Sequence, residues 1–228
     1  MKAMKPTATQ THIFDVDNTV IRKLSMWHFL REALADGLVR PRDIRRLPWE
    51  YVRYKLGRPD MDFIEGSVKF LAGTEKSELE RVAEASFERR MRRDIYPGAA
   101  RLITEARERG ERVIFATSSF QIVIRPLERH FGIEGSLACE LEFEDGRATG
   151  RLAGRSLFGP KKKDAARAWM ERAGVSPGEV SFYSDSYVDI PLLEYCGRPV
   201  AVNPDRALAR RARELGWETL RFRAGAED

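Results

Sequence analysis

Thr11-His12-Ile13-Phe14-Asp15-Val16-Asp17-Asn18-Thr19 is a short apolar run that ends in two carboxylates one residue apart, followed by a hydroxyl. Such a run reads as a buried strand that stops at a loop. In an open α/β sheet ligands bind beyond the carboxyl ends of the strands, so Asp15 and Asp17 fall where chemistry is expected. Two acids at i and i+2 against a strand end are costly unless a cation sits between them, and hard Mg²⁺ with oxygen ligands meets that need. The plain alternative is an Asp-rich turn after a strand, since Asp and Asn are ordinary turn residues.

Working outward, 228 residues suit one substantial domain with a smaller insert. No apolar run approaches the length of a membrane span, and the N-terminal residues lack the apolar segment of a signal peptide, so a cytoplasmic protein is expected. Cys139 and Cys196 fit no metal-ligand spacing and are expected to stay reduced. Forty Lys and Arg against thirty-five Asp and Glu give a net charge of +5 and a pI near 9.3. That balance suits a nucleic-acid binder or an enzyme that draws in phosphate esters. The arginine clusters, such as Arg206, Arg210, Arg211 and Arg213, are interleaved with apolar or acidic residues at helical spacing. Solvated helix faces are therefore favoured over a nucleic-acid partner.

After Thr19 the pattern turns helical. Periodicity predicts helices over 25–38 with Ser25 as cap, 42–56 with a kink near Pro48, 61–71, and 77–93 with Glu80 completing a capping box. Trp27, Trp49 and Tyr51 are expected in the core of this bundle. Regular alternation begins only afterwards. Strands are predicted over 112–116, near Leu137, and over 180–183, 200–202 and 219–222, separated by helices over 99–109, 120–131, 162–173, 190–195 and 207–215. Asp145-Gly146 marks a hairpin within 141–152. The expected fold is α/β, a Rossmann-like, mostly parallel sheet flanked by helices, with an inserted all-helical cap. The core would be 1–23 and 96–228, and the cap 24–95.

Asp15 and Asp17 end the first strand and Thr117 the one after the helical block. Lys162 opens a later helix, and Asp185 and Asp189 follow a further strand. The set suits phosphoryl transfer: a carboxylate nucleophile, a second carboxylate to move protons, a hydroxyl and an ammonium for phosphate oxygens, and acids for a divalent metal. The order resembles that of the haloacid dehalogenase (HAD) superfamily. Asp-x-Asp-x-Thr matches residues 15–19, and the strand-end hydroxyl matches Thr117. The helix-opening lysine falls in the run Lys161 to Lys163, and Asp-x-x-x-Asp matches 185–189. Spacing from Gly159, and register with Ala166, Trp169 and Ala173, favour Lys162 over its two neighbours. The helical insert and the stretch Ser184-Asp185-Ser186 through Glu194 resemble the phosphoserine-phosphatase-like branch, subfamily IB.

The resemblance implies a Mg²⁺-dependent phosphatase acting on a small phosphorylated metabolite. Asp15 would attack phosphorus, and Asp17 would protonate the leaving oxygen and then deprotonate water. Thr117 and Ser118 would bind the phosphate, and Lys162 would neutralise charge. The metal set would be Asp15, the Asp17 main-chain carbonyl and Asp185, with Asp189 in the same acidic loop. Two departures argue against phosphoserine itself. Leu24 stands where that branch carries a substrate-binding glutamate, and no arginine occurs from Pro59 to Glu80. An RNA- or protein-binding module with a vestigial site, and phosphotransfer to an acceptor other than water, are the alternatives. Oligomeric state is left open.

Overall fold

The structure, a computed structural model, describes residues 10–55, 68–133, 135–223 and 225. In chain order the strands are β1 Thr11–Phe14, β2 Arg112–Phe120, β3 Ser136–Cys139, β4 Leu141–Glu144, β5 Arg147–Leu152, β6 Val180–Ser184, β7 Arg198–Val202 and β8 Glu218–Leu220. The helices are α1 Ser25–Ala35, α2 Pro41–Ile44, α3 Leu47–Lys55, α4 Lys76–Arg89, α5 Pro97–Glu108, α6 Gln121–Phe131, α7 Pro160–Ala173, α8 Ile190–Leu193 and α9 Arg206–Leu215. Among the described residues, six strands form one sheet in the order β3-β2-β1-β6-β7-β8. All of its pairings are parallel.

The apolar runs explain this sheet. In register, Phe14 of β1 lies between Phe115 and Tyr183, and Ile13 between Ile114 and Phe182. Successive residues of a strand point to opposite faces. Phe14, Phe115 and Tyr183 accordingly join one hydrophobic cluster, and Ile13, Ile114 and Phe182 the other. The second face is covered by α7, α8 and α9 through residues such as Met170, Leu193 and Leu208. The first is covered by α5 and α6, and its cluster runs on into α1 and α4 through Phe29, Leu79 and Phe87. A parallel sheet buried on both faces needs mostly apolar strands, and 11–14 and 180–183 supply Ile13, Phe14, Val180, Phe182 and Tyr183, with Thr11, His12 and Ser181 buried among them. From β1 the chain moves to β2 and β3 on one side and later to β6, β7 and β8 on the other. The sheet order therefore reverses beside β1, and the crevice beyond its carboxyl end is the expected ligand position.

The segment between β1 and β2 is helical where described, with different joints from those predicted. Helix α1 stops at Ala35, and its N-cap is Leu24, with Ser25 already inside the helix. The helix predicted over 42–56 is two, α2 and α3. Pro48 falls in the first turn of α3, where a missing N–H breaks no helical bond. Most of the helix predicted over 61–71 lies outside the described residues, and Lys69–Leu71 is a 3₁₀ turn. The capping box belongs to Glu75 and Glu78, which fixes the start of α4 at Lys76. Trp49 is 64% exposed rather than in a bundle core, and the Tyr51 side chain lies outside the described residues. The two connections to this segment run side by side. Ile21 pairs antiparallel with Ile95, the Tyr96 amide donates to the Val20 carbonyl at 2.9 Å, and Asp94 pairs with Arg22 and Lys23.

The hairpin β4–β5 forms as predicted, with Asp145 and Gly146 both at positive φ (48° and 77°). Such a two-residue turn matches the right-handed twist of its strands. It stands apart from the main sheet and docks on the helical segment. The Gly73 amide donates to the Ala148 carbonyl at 2.8 Å, and the Ala148 amide to the Thr74 carbonyl at 2.9 Å. Gly150 makes close approach possible: a Cβ there would lie 3.2 Å from the Lys69 Cα.

Candidate active site

The carboxyl end of β1 delivers Asp15 to the floor of a cavity of about 250 Å³. The loop that follows folds back on itself, the amides of Thr19, Val20 and Ile21 all donating to the Val16 carbonyl. Asn18 takes a left-handed φ of 61° in this loop, a conformation Asn tolerates better than most residues. Both acids line the cavity with Lys162, Asp185 and Asp189. The loops at the ends of three adjacent parallel strands, β2, β1 and β6, thus supply the site with α7.

Lys162 is the centre of the charge arrangement. It is 4% exposed, and its Nζ donates to Asp15 Oδ1 at 2.9 Å and Asp189 Oδ2 at 2.8 Å. Of its neighbours, Lys163 stands over the Tyr195 ring. A lysine in the first turn of a helix opposes the helix dipole, so the two carboxylates supply what holds it there. Gly159 precedes α7 at φ 59°, ψ −129°, a combination reserved for glycine. Pro160 follows in the first turn, where its missing N–H is harmless. These two residues start the helix two positions before Lys162.

Burial alone disfavours the Lys162 ammonium, but Asp15 and Asp189 outweigh it and hold its pKa above the ordinary lysine value. Burial pushes the Asp15 carboxyl up to about 7 against the pull of Lys162, and Asp189 and Asp17 push in the same direction. One ammonium shared by several buried acids leaves Asp15 short of positive charge. Asp189 shows the same shortage. Its Oδ2 accepts from Lys162 and from the Ser184 hydroxyl at 2.7 Å, while its Oδ1 is buried without a hydrogen-bond partner. The loop from 185 to 189 is braced from β7 and α9. Asp205 donates its amide to the Asp185 carbonyl at 2.8 Å and accepts on its carboxylate from the Tyr187 amide at 2.9 Å.

Asp17 is fixed through α1. Its Oδ1 accepts from the Ser25 amide at 2.7 Å, satisfying one of the open amides at the helix start. Burial raises its pKa, partly offset by the hydrogen bonds from Ser25 and by Lys162. The Ser25 hydroxyl also donates to Ser119 Oγ at 2.8 Å, so one residue joins the acid loop to the end of β2. That end differs from the prediction. Strand β2 continues to Phe120, and its register against β3 slips between Ala116 and Phe120. Two extra residues are accommodated there as an irregularity, a common device beside active sites. Ser118 and Ser119 line the cavity, and Thr117 is buried, its Oγ1 accepting from the Ser119 amide at 3.1 Å. A hydroxyl that accepts still has its own proton to donate.

The structure brings Asp15, Asp17, Ser118, Lys162, Asp185 and Asp189 around one cavity, while Thr117 is buried and is not among the described lining residues. The sequence pattern missed Ser25 and Ser184, whose roles come from contacts 8 to 94 residues and 5 residues away. His12 Nε2 lies 3.0 Å from Glu111 and His28 Nε2 3.1 Å from Asp94.

The sequence matches the haloacid dehalogenase-like hydrolases over residues 13–194. The chain belongs to that family. The hydrolase is 31% identical over 220 residues to a phosphoserine phosphatase of Mycobacterium tuberculosis, covering 94% of this chain and 71% of that one. It is 32% identical over 222 residues to a histidinol-phosphatase of Neisseria meningitidis, covering 92% and 98%. A solved structure from Bordetella pertussis, a protein of unknown function, matches with a TM-score of 0.84 at 28% identity, covering 94% and 99%. A substrate-bound phosphoserine phosphatase shares the fold, with a TM-score of 0.71 at 18% identity and coverage of 94% and 93%. The expected HAD-type phosphatase with phosphoserine-phosphatase-like architecture is thus met. No helix among the described residues is long and apolar enough to cross a membrane.

Proposed function

We propose that the hydrolase removes phosphate from a small phosphomonoester through an aspartyl-phosphate on Asp15. The observation that carries this reading is the buried Asp15–Lys162–Asp189 chain at the foot of the cavity, with Asp17 beside it. An Asp15 carboxylate oxygen attacks phosphorus as the bond to the leaving oxygen breaks, and Asp17 gives its proton to that oxygen. A pKa raised by burial keeps that proton available. Asp17 then takes a proton from water, and the water oxygen attacks phosphorus. The Asp15–phosphorus bond breaks, giving inorganic phosphate and the free carboxylate. Lys162 offsets the charge shared by Asp15 and the phosphate, and Thr117 with the Ser118 amide donates to the phosphate oxygens. Residues 24–95 act as a cap that selects the leaving group, over a core of 1–23 and 96–228.

Four buried or half-buried acids facing one ammonium suit a divalent cation, and the orphaned Asp189 Oδ1 points to the same shortage. Among the described residues, no three His, Cys, Asp or Glu side chains are grouped to hold a metal by themselves. A Mg²⁺ ion would therefore use two side chains, Asp15 and Asp185, with the Asp17 main-chain carbonyl, while Asp189 supports the loop. When bound it would supply charge neutralisation at the phosphoryl oxygens. We place the reaction in the cytoplasm, which the free, buried Cys139 and Cys196 suit.

The test is phosphate release from a broad panel of phosphomonoesters with Mg²⁺ and with chelator. At least one ester is expected to turn over with Mg²⁺ and to stop with chelator. Release unaffected by chelator would refute the metal requirement. Asp17→Asn is expected to slow release by about 10²–10⁴-fold with little change in thermal midpoint, because its amide oxygen still accepts from Ser25. Asp17→Ala is expected to lose about 1 kcal/mol of stability as well, the usual cost of an uncapped helix. Paired kinetics and melts separate the two roles.

A further inference from the structure

We propose that Cys139 is a positioning residue for phosphate, its thiol tying the strand end that carries Thr117 and Ser118 to the loop that leads into Lys162. The inference rests on the phosphatase reading above and names a further residue on which that site depends. Cys139 closes β3, is 2% exposed and lines the cavity. Its Sγ donates to the Ser118 carbonyl at 3.3 Å and accepts from the Leu157 amide at 3.3 Å. Burial pushes the thiol pKa up, so the proton that the first bond needs stays in place at neutral pH.

The first bond answers the irregularity of β2. In register, Ala116 faces Leu137 and Phe120 faces Cys139, so Thr117, Ser118 and Ser119 stand against Ala138 alone. Backbone groups left out of a ladder need other partners, and the thiol supplies a donor here. The Ser118 carbonyl and the Ser119 amide belong to one peptide unit, and that amide donates to Thr117 Oγ1 at 3.1 Å. The planar unit is therefore held at both ends. With its acceptor role taken by the Ser119 amide, the Thr117 hydroxyl keeps its own proton for a phosphate oxygen. The Ser118 amide is fixed with it, one peptide earlier. The second bond works from the other side of the cavity. Leu157, Phe158 and Gly159 line it, and Gly159 precedes the helix that carries Lys162. One sulfur atom thus sets the spacing between the hydroxyl and amide on one side and the ammonium on the other.

Cys139→Ala removes both bonds, and Cys139→Ser returns a donor and an acceptor in a small side chain. Cys139→Val fills the space without a polar atom and serves as a second test of the bonds. With Mg²⁺ present, Cys139→Ala and Cys139→Val are expected to lower kcat/KM by about 10-fold for every phosphomonoester that the wild type hydrolyses, the scale of two weak hydrogen bonds. Calorimetric affinity for inorganic phosphate is expected to weaken by a similar factor, and Cys139→Ser to recover most of both. All assays run well below the thermal midpoint of each variant, so that loss of folded protein does not enter. Unchanged kcat/KM and phosphate affinity in Cys139→Ala or Cys139→Val overturns the proposal and leaves the phosphatase reading standing. A loss that Cys139→Ser does not recover, or one that varies with the leaving group, does the same. Phosphate affinity that falls in Cys139→Ala and returns in Cys139→Ser, with no ester hydrolysed by the wild type, supports the Cys139 assignment and counts against the phosphatase reading alone.

Discussion

Asp15→Asn is expected to lower phosphate release by about 10⁴–10⁶-fold, the scale of losing a nucleophile that acts as part of a unit. Asn keeps the shape and cannot form the acyl phosphate. The same substitution separates function from stability. Asp15 carries a folded-state pKa of about 7 against an ordinary 3.8. Between those values the folded protein binds a proton that the unfolded chain has released. Stability therefore falls as pH rises through that window, the reverse of the usual carboxylate. Asn has no such cost. In metal-free melts, the midpoint of Asp15→Asn relative to wild type is expected to rise from pH 5 to pH 8. A relative midpoint that falls over that range would mean that the Asp15 carboxylate is well neutralised by Lys162 alone.

Lys162→Met is expected to cost about 3–5 kcal/mol near neutral pH, the range for removing one partner of a buried ion pair, and to lower turnover by about 10²–10³-fold through lost charge stabilisation. Methionine fills similar space but leaves Asp15 and Asp189 facing each other without the ammonium. The raised Lys162 pKa means that its stabilisation is fully present below the ordinary lysine value of 10.5 and is lost only as pH rises through the folded value. Between pH 5 and pH 8 the wild type therefore keeps it in full. The deficit of Lys162→Met is expected to shrink towards pH 5, where Asp15 can carry a proton instead. Adding Asp15→Asn to Lys162→Met is expected to restore part of the lost stability and none of the activity. Denaturant melts of the two single variants and the double variant read that coupling.

The core was legible because parallel strands buried on both faces are rich in apolar residues. Ile13-Phe14 and Phe182-Tyr183 carried that signal despite Thr11, His12 and Ser181, and Asp145-Gly146 announced its turn by the φ values it needs. The carboxylates were legible for a related reason. Acids placed directly after apolar strands end up together wherever those strands are neighbours. Long-range hydrogen bonding was not. Thr117-Ser118-Ser119 looked like a strand end because polar residues usually stop one, yet β2 runs through them by slipping its register with β3. Ser25 looked like a cap, but the cap is the Asp17 carboxylate, set by the fold of a loop eight residues earlier. On α3 the phase was undecidable. Trp49 and Glu50 are neighbours in a short helix of mixed character, and the structure exposes the tryptophan and buries the glutamate.

The central claim is that phosphate passes through Asp15. Acid quench during turnover of a phosphomonoester with an isotopically labelled phosphoryl group, followed by peptide mapping before and after borohydride reduction, tests it most directly. The expected result is label on the peptide that contains Asp15 before reduction, loss of that label on reduction with homoserine formed at that position, and neither in Asp15→Asn. Label on Ser118 or Ser119, or steady phosphate release by Asp15→Asn, would contradict it.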